Sequence, residues 1–436
     1  MLLALQILIV LGAIFLGARL GSIAIGFAGG LGVLLLSLTG IPVSAEGIPF
    51  DVIGIIMCVI AAISAMQLAG GMDYLVHVAE RFLRRNPRQI TLWAPVVTWL
   101  MTVLAGTGHT AFSTLPVIVE VAKEGGVRPS RPLSVAVIAS QMAIVASPLS
   151  AAVVFMASAL EPRGVSYLTL LGIMIPATFL AIFPTALLTN RMGRELADDP
   201  VYRERLAKGL IQPPADRGQW QPRPGAKASV GLFLAAIVLV MLYATAISEQ
   251  VGLLSDPTLP RNEAIMTIML ATAAAIVLLT RVPADEILKT QVFRSGMSAS
   301  VCVLGVAWLG TTMISHYIDE IQVLAGDVLT ARPWLLAVVL FFAAALLYSQ
   351  AATAKALIPA ALAIGVSPLT AVAAFPAVSA LFILPTYPTL LAAVEMDDTG
   401  STRIGRLVFD HPFLIPGTLN ITLAVVFAYG IGALLI

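Results

Sequence analysis

Along the chain, apolar stretches of roughly 20 residues alternate with short segments rich in Gly, Pro and Arg. At 1.5 Å per residue a helix of that length matches a hydrocarbon core about 30 Å thick. The pattern predicts spans near 2–18, 22–39, 50–71, 89–105, 133–160, 165–189, 229–247, 263–280, 295–314, 334–349, 367–394 and 413–436. Two further apolar pieces, 110–122 and 353–365, are too short to cross, and each starts in small or polar residues. They are expected to be the returning arms of re-entrant hairpins. The expected fold class is therefore an all-α membrane protein: a polytopic helical bundle of about 10–12 spans with two re-entrant hairpins and interrupted helices.

Composition agrees with lipid rather than water as the main solvent. Of 436 residues, 59% are hydrophobic and 11% charged, against about a quarter charged in a soluble domain. A net charge of +1 offers no basic surface for nucleic acid. Residues 1–16 lack a basic leader and read as the first span rather than a cleaved signal. Cys58 and Cys302 sit inside separate apolar runs, the setting of small core residues rather than of a disulfide or metal pair.

Lys and Arg concentrate in cytoplasmic loops of membrane proteins. Loops at 19, 72–88, 120–132, 190–228, 281–294 and 395–412 hold 21 of the 25 basic residues, whereas the alternate loops hold Arg163, Arg261 and Arg332 with nine acids, Glu46, Asp51, Asp256, Asp319 and Asp327 among them. Both termini are then expected on the periplasmic side. The longest loop, 190–228, carries eight basic and five acidic residues with Pro200, Pro213, Pro214 and Pro222, which suits a solvated linker containing one short helix. It divides the chain into an N-terminal membrane half, 1–189, with the first hairpin at about 106–122, and a C-terminal half, 229–436, with the second at about 350–366.

The halves echo one another. Thr110-Ala-Phe-Ser-Thr-Leu-Pro116, Pro132-Leu-Ser134 and Ser147-Pro-Leu-Ser150 in the first are matched in order by Thr353-Ala-Lys-Ala-Leu-Ile-Pro359, Pro368-Leu-Thr370 and Pro385-Thr-Tyr-Pro-Thr389 in the second. Loop charge gives the two units opposite topology, so the sequence predicts an inverted repeat, with half-helix ends near the midplane.

Polar residues at hydrocarbon depth cluster on these motifs. The expected substrate-binding set is Thr107, His109, Thr110, Ser113, Thr114, Gln141 and Ser147 from the first unit, with Gln350, Thr353, Lys355, Thr386 and Tyr387 from the second. Hydroxyls and amides at hairpin tips donate to a carboxylate without the cost of many buried charges. Lys355 has no acid in its own hairpin and, as a lone ammonium in an apolar segment, is expected to require an anion, the alternative being that it snorkels to an interface or neutralises. Scarce buried acids argue against a cationic substrate and a metal cage. No cofactor is expected, and coupling to protons or sodium is left open.

At these motifs the chain resembles the anaerobic C4-dicarboxylate transporter family of bacterial inner membranes, the Dcu type, over essentially its whole length. The resemblance is carried by Ala18-Arg-Leu-Gly-Ser-Ile-Ala-Ile-Gly-Phe-Ala-Gly-Gly30, GTGHTAFSTLPVIVEVAKEGG from Gly106, RPSRPLSVAVIASQMAIVASPLSAAV from Arg128, LPTYPTLLAAVEMDDTGSTRIG from Leu384 and HPFLIPG from His411. It implies a secondary transporter that exchanges fumarate, malate, aspartate or succinate, partnered by dicarboxylate and lipid bilayer. Family analogy favours a homodimer, and some members associate with a membrane sensor kinase. Alternatives are a regulatory membrane subunit for such a kinase or a transporter of another small organic anion. An intramembrane enzyme is disfavoured by the lack of HExxH, paired intramembrane aspartates or a serine elbow.

Overall fold

The computed structural model describes residues 2–20, 23–48, 50–211, 221–247, 253–254, 257–317, 320, 331–385, 387–405 and 409–436, with no strand among them. In chain order the helices are α1 (Leu2–Leu20), α2 (Ala24–Leu38), α3 (Phe50–Leu68), α4 (Gly71–Leu83), α5 (Ile90–Ala105), α6 (Ala111–Glu124), α7 (Ser130–Ile144), α8 (Ala151–Leu160), α9 (Tyr167–Thr189) and α10 (Pro200–Ala207). After the linker follow α11 (Ala226–Ala246), α12 (Arg261–Thr280), α13 (Ala284–Ile287), α14 (Gln291–His316), α15 (Leu335–Leu347), α16 (Gln350–Ala363), α17 (Pro368–Ala374), α18 (Pro388–Met396) and α19 (Leu414–Leu435). Leu278 and Leu434, 76% and 85% exposed, would each expose a full side chain to water, at a cost that a lipid surround removes.

Among the described residues, five helices are long and apolar enough to cross a bilayer alone, α9, α11, α12, α14 and α19, or six with the bent pair α3–α4. Several of the remaining expected spans are short or broken, for local reasons. In 133–160, α7 stops at Ile144 before Pro148, and Ser150 opens α8 by accepting the Val153 N–H at 3.1 Å. In 367–394, a 3-10 turn over Phe375–Ser379 contains Pro376, and Pro388 starts α18. Proline lacks the N–H that a continuous helix needs and restricts the residue before it.

The two apolar pieces each form a separate helix that packs on the preceding one. α5 and α6 are joined through Gly106, at φ +69°, and a 3-10 turn over Gly108–Thr110. A Cβ at Gly106 would also lie 2.9 Å from Leu149 Cβ, so the tip tolerates no larger residue. α15 and α16 are joined through Tyr348, left-handed at φ +53°, and Ser349, which caps α16 by accepting the Ala352 N–H.

Three apolar cores organise the packing. The largest unites both hairpins, both broken helices, α9 and α19. A second is built mainly from α3, α4, α11 and α12. The third joins α1, α2 and α14, where Gly26 and Gly29 let the α2 backbone touch Val301 and Gly305 of α14. Small residues permit this close crossing.

Ion pairs gather several of the loops. Arg84 meets Glu80, Glu120 and Glu124, Lys123 meets Asp398 at 2.9 Å, Arg128 meets Asp199 at 2.7 Å and Arg131 meets Glu195 at 2.9 Å. These pairs join segments 80–88, 120–131, 195–199 and 398, all from the basic set of loops. α10, the short helix expected in the linker, docks here through Arg205 to the Asp398 carbonyl. Elsewhere, Glu161 pairs with Arg261 and Asp51 with Lys355, with Asp51, Glu161 and Arg261 all from the alternate set.

Candidate functional site

The last turn of α7 is touched from both halves of the chain. The first hairpin tip lies against it: a Cβ at Gly108 would stand 3.4 Å from Ile144 and 3.9 Å from the Ser140 carbonyl. From the second half, Gln350 at the start of α16 donates its amide to the Gln141 carbonyl at 3.4 Å, and Ser379 donates to the same oxygen at 3.2 Å. Consecutive residues of one helix thus touch both hairpins.

Gln141 itself is 1% exposed, yet neither its side-chain nitrogen nor its oxygen has a partner. An unmade hydrogen bond on a buried polar group costs about 1–3 kcal/mol, a cost that a polar partner would offset. Thr389, in the first turn of α18, likewise has a buried hydroxyl without a partner. That helix packs on α6 and α7.

Other expected site residues are engaged locally. Thr110 donates to the Thr107 carbonyl at 3.1 Å and lies 2.9 Å from the Thr102 hydroxyl. Thr114 donates to the Ala111 carbonyl, Thr353 to the Ser349 carbonyl at 2.8 Å and Ser147 to the Val103 carbonyl at 2.6 Å. The Ser147 contact ties the first break to the end of α5. Thr107, Ser113 and Tyr387 are half-buried. Thr386 and the side chain of His109 lie outside the described residues.

Lys355 requires a correction. Its ammonium is 3.1 Å from Asp51 Oδ1, and the side chain is 24% exposed, so it is neither solitary nor sealed in an apolar interior. The hairpin holds no acid of its own, and the partner comes from the start of α3. Among the described residues no group of three His, Cys, Asp or Glu side chains could hold a metal ion. Cys58 and Cys302 form no disulfide and are half-buried.

A buried polar junction where short and interrupted apolar helices converge is an arrangement found in membrane transporters, in which half-helix ends and unwound backbone replace water around a substrate. The chain belongs to the family described as the anaerobic C4-dicarboxylate membrane transporter, whose model matches residues 2–436. It is similar to C4-dicarboxylate transporter DcuA of Wolinella succinogenes, 59% identical over 433 residues and 99% of each chain. DcuA of Escherichia coli K12 is 57% identical over 435 residues and 100% of each chain. Anaerobic C4-dicarboxylate transporter DcuB of Escherichia coli O6:H1 is 36% identical over 446 residues and 98% of each. The family is one of membrane transporters, not enzymes.

Proposed function

We propose that this chain exchanges four-carbon dicarboxylates, fumarate, succinate, malate and aspartate, across the bacterial inner membrane by alternating access. The observation that carries the reading is Gln141, a buried amide with both ends unpaired at the place where both hairpins touch α7. A dicarboxylate needs donors at each end. Gln141 serves one end, joined by Thr110 and Thr114 once their hydroxyls turn from the Thr107 and Ala111 carbonyls, and Lys355 serves the other, exchanging Asp51 for the substrate carboxylate while Thr353 turns from the Ser349 carbonyl. The higher identity to the DcuA proteins than to the DcuB protein favours a DcuA-like role.

In this reading the two halves are inverted repeats, and the core containing the hairpins moves against the helices of the other two cores. The basic loops face the cytoplasm and both termini face the periplasm. The central experiment is succinate-driven fumarate exchange by the purified protein in liposomes. Absence of exchange would leave the regulatory reading in its place. Orientation has its own test: a cysteine at Lys208 should be labelled from the cytoplasmic side alone, and periplasmic labelling overturns the topology.

A further inference from the structure

α4 departs from α3 at 75°, directly after Gly70 at φ +83°. With α3 standing across the bilayer, α4 runs close to the membrane plane. Its inner face buries Gly71, Met72, Ala79 and Leu83 in a groove formed with α11 and α6. The opposite face presents Tyr74, His77, Val78, Arg81, Phe82 and Arg85 at helical spacing. It is neither a core face nor an ordinary solvated one.

Two kinds of group share it. Val78 and Phe82 are 49% and 41% exposed, and Trp93 of α5 packs edge-on against Phe82 with ring centres 5.3 Å apart. Exposed apolar side chains beside a tryptophan suit the boundary between headgroups and acyl chains. Around them stand exposed Arg81, Arg85 and Arg88, and Lys227 reaches over the Tyr74 ring at 5.9 Å from the start of α11. Among the described residues Arg84 takes Glu80, Glu120 and Glu124, while no carboxylate pairs with Arg81, Arg85 or Arg88. Arg81 meets the ring nitrogen of His77 at 3.2 Å.

An open cleft of about 470 Å³, lined by Asp73, Val76, His77, Glu80, Arg81, Arg84 and Arg85, lies to one side of this face, and Arg81 and Arg85 stand on its rim toward Val78 and Phe82. Glu80 is held by Arg84, leaving Asp73, two turns from Arg81, as the lining carboxylate without an ion pair. We propose that this cleft and its apolar shoulder bind the phosphodiester headgroup of an anionic phospholipid. Guanidinium forks match phosphate oxygens in pairs, and Val78, Phe82 and Trp93 receive the glycerol and upper acyl chain. A soluble anion would use the charges and leave the apolar shoulder idle. The lipid thereby fixes α4, and through Arg84 the end of α6, at the membrane surface.

The test is native mass spectrometry of the full-length protein released from micelles containing phosphatidylglycerol, with phosphatidylcholine as control. Wild type should retain phosphatidylglycerol preferentially. Arg81→Gln with Arg85→Gln should weaken that retention roughly thirtyfold, on the basis of two charges near an anionic surface, whereas Arg81→Lys with Arg85→Lys should keep most of it. Val78→Ser with Phe82→Ser should weaken lipid retention too. Equal retention by wild type and the glutamine pair overturns the proposal. So does full displacement of lipid by inorganic phosphate with no effect of Val78 and Phe82, the behaviour of a soluble-anion site. Should the glutamine pair fail to insert, Lys227→Gln on α11 carries the same test, with an expected loss of roughly fivefold.

Discussion

Lys355 Nζ lies 3.1 Å from Asp51 Oδ1, joining the second hairpin to the start of α3 across 304 positions of sequence. The pair links the core that contains the hairpins to the core built on α3. If the ammonium hands over from Asp51 to a substrate carboxylate, the two partners respond differently to neutralisation. Lys355→Gln should weaken succinate affinity between tenfold and a hundredfold, roughly the worth of a hydrogen bond to a charged group. Asp51→Asn, which frees the ammonium, should leave exchange intact and tighten affinity. Equal losses from both substitutions in liposome exchange would assign the pair a structural role alone.

Gln141 separates binding from stability. Gln141→Leu removes two buried polar atoms that have no partners and retains volume, so thermal stability in detergent should stay level or rise by about 1 kcal/mol. Exchange should nevertheless fall more than tenfold. A leucine variant that exchanges fumarate at the wild-type rate and affinity would remove Gln141 from the site.

The Asp199 carboxyl is held below the usual carboxylate range. Burial alone would raise it, but the Val201 N–H and the guanidinium groups of Arg128 and Arg403 outweigh that effect. A depressed folded value contributes stability above the unfolded value, about pH 4, and loses it as pH falls through the folded one. Melting temperature should therefore be flat from pH 7 to about 5 and decline below 4. Asp199→Asn should cost about 3 kcal/mol at pH 7 by leaving Arg128 with its main partner neutral, and should flatten the acid decline. An unchanged acid limb in the variant would place the titration elsewhere.

Glu161, at the end of α8, holds Arg261 at the start of α12 with an Nη1–Oε2 distance of 3.0 Å, and the Arg261 guanidinium also lies over the Tyr167 ring at 5.0 Å. This contact spans the first and second cores. In a background with Cys58→Ala and Cys302→Ala, a short bismaleimide between Glu161→Cys and Arg261→Cys should abolish exchange, while the uncrosslinked double variant remains active. Wild-type exchange after complete crosslinking would mean that the two cores move as one body.

The sequence by itself determined the membrane class and the helix breaks. Each is written locally: apolar length against bilayer thickness, Gly106 at a left-handed tip, Pro148 and Pro388 where an N–H is missing, Ser150 and Ser349 where a half-helix begins. The association of the basic loops 80–88, 120–131, 195–199 and 398 was also foreshadowed by charge bias along the chain, and ion pairs join them in space. What tertiary structure alone decided was partnership. Asp51 read as a loop acid and Lys355 as a lone cation, since hydropathy ranks residues by depth and says nothing of which helices adjoin. Ser147 carried the motif of a site but hydrogen-bonds the end of α5, and Thr110 turns to its neighbours in the tip. Gln141 stands out only once every nearby donor and acceptor has been placed, because an unmet hydrogen bond is a property of the surrounding packing and not of the residue.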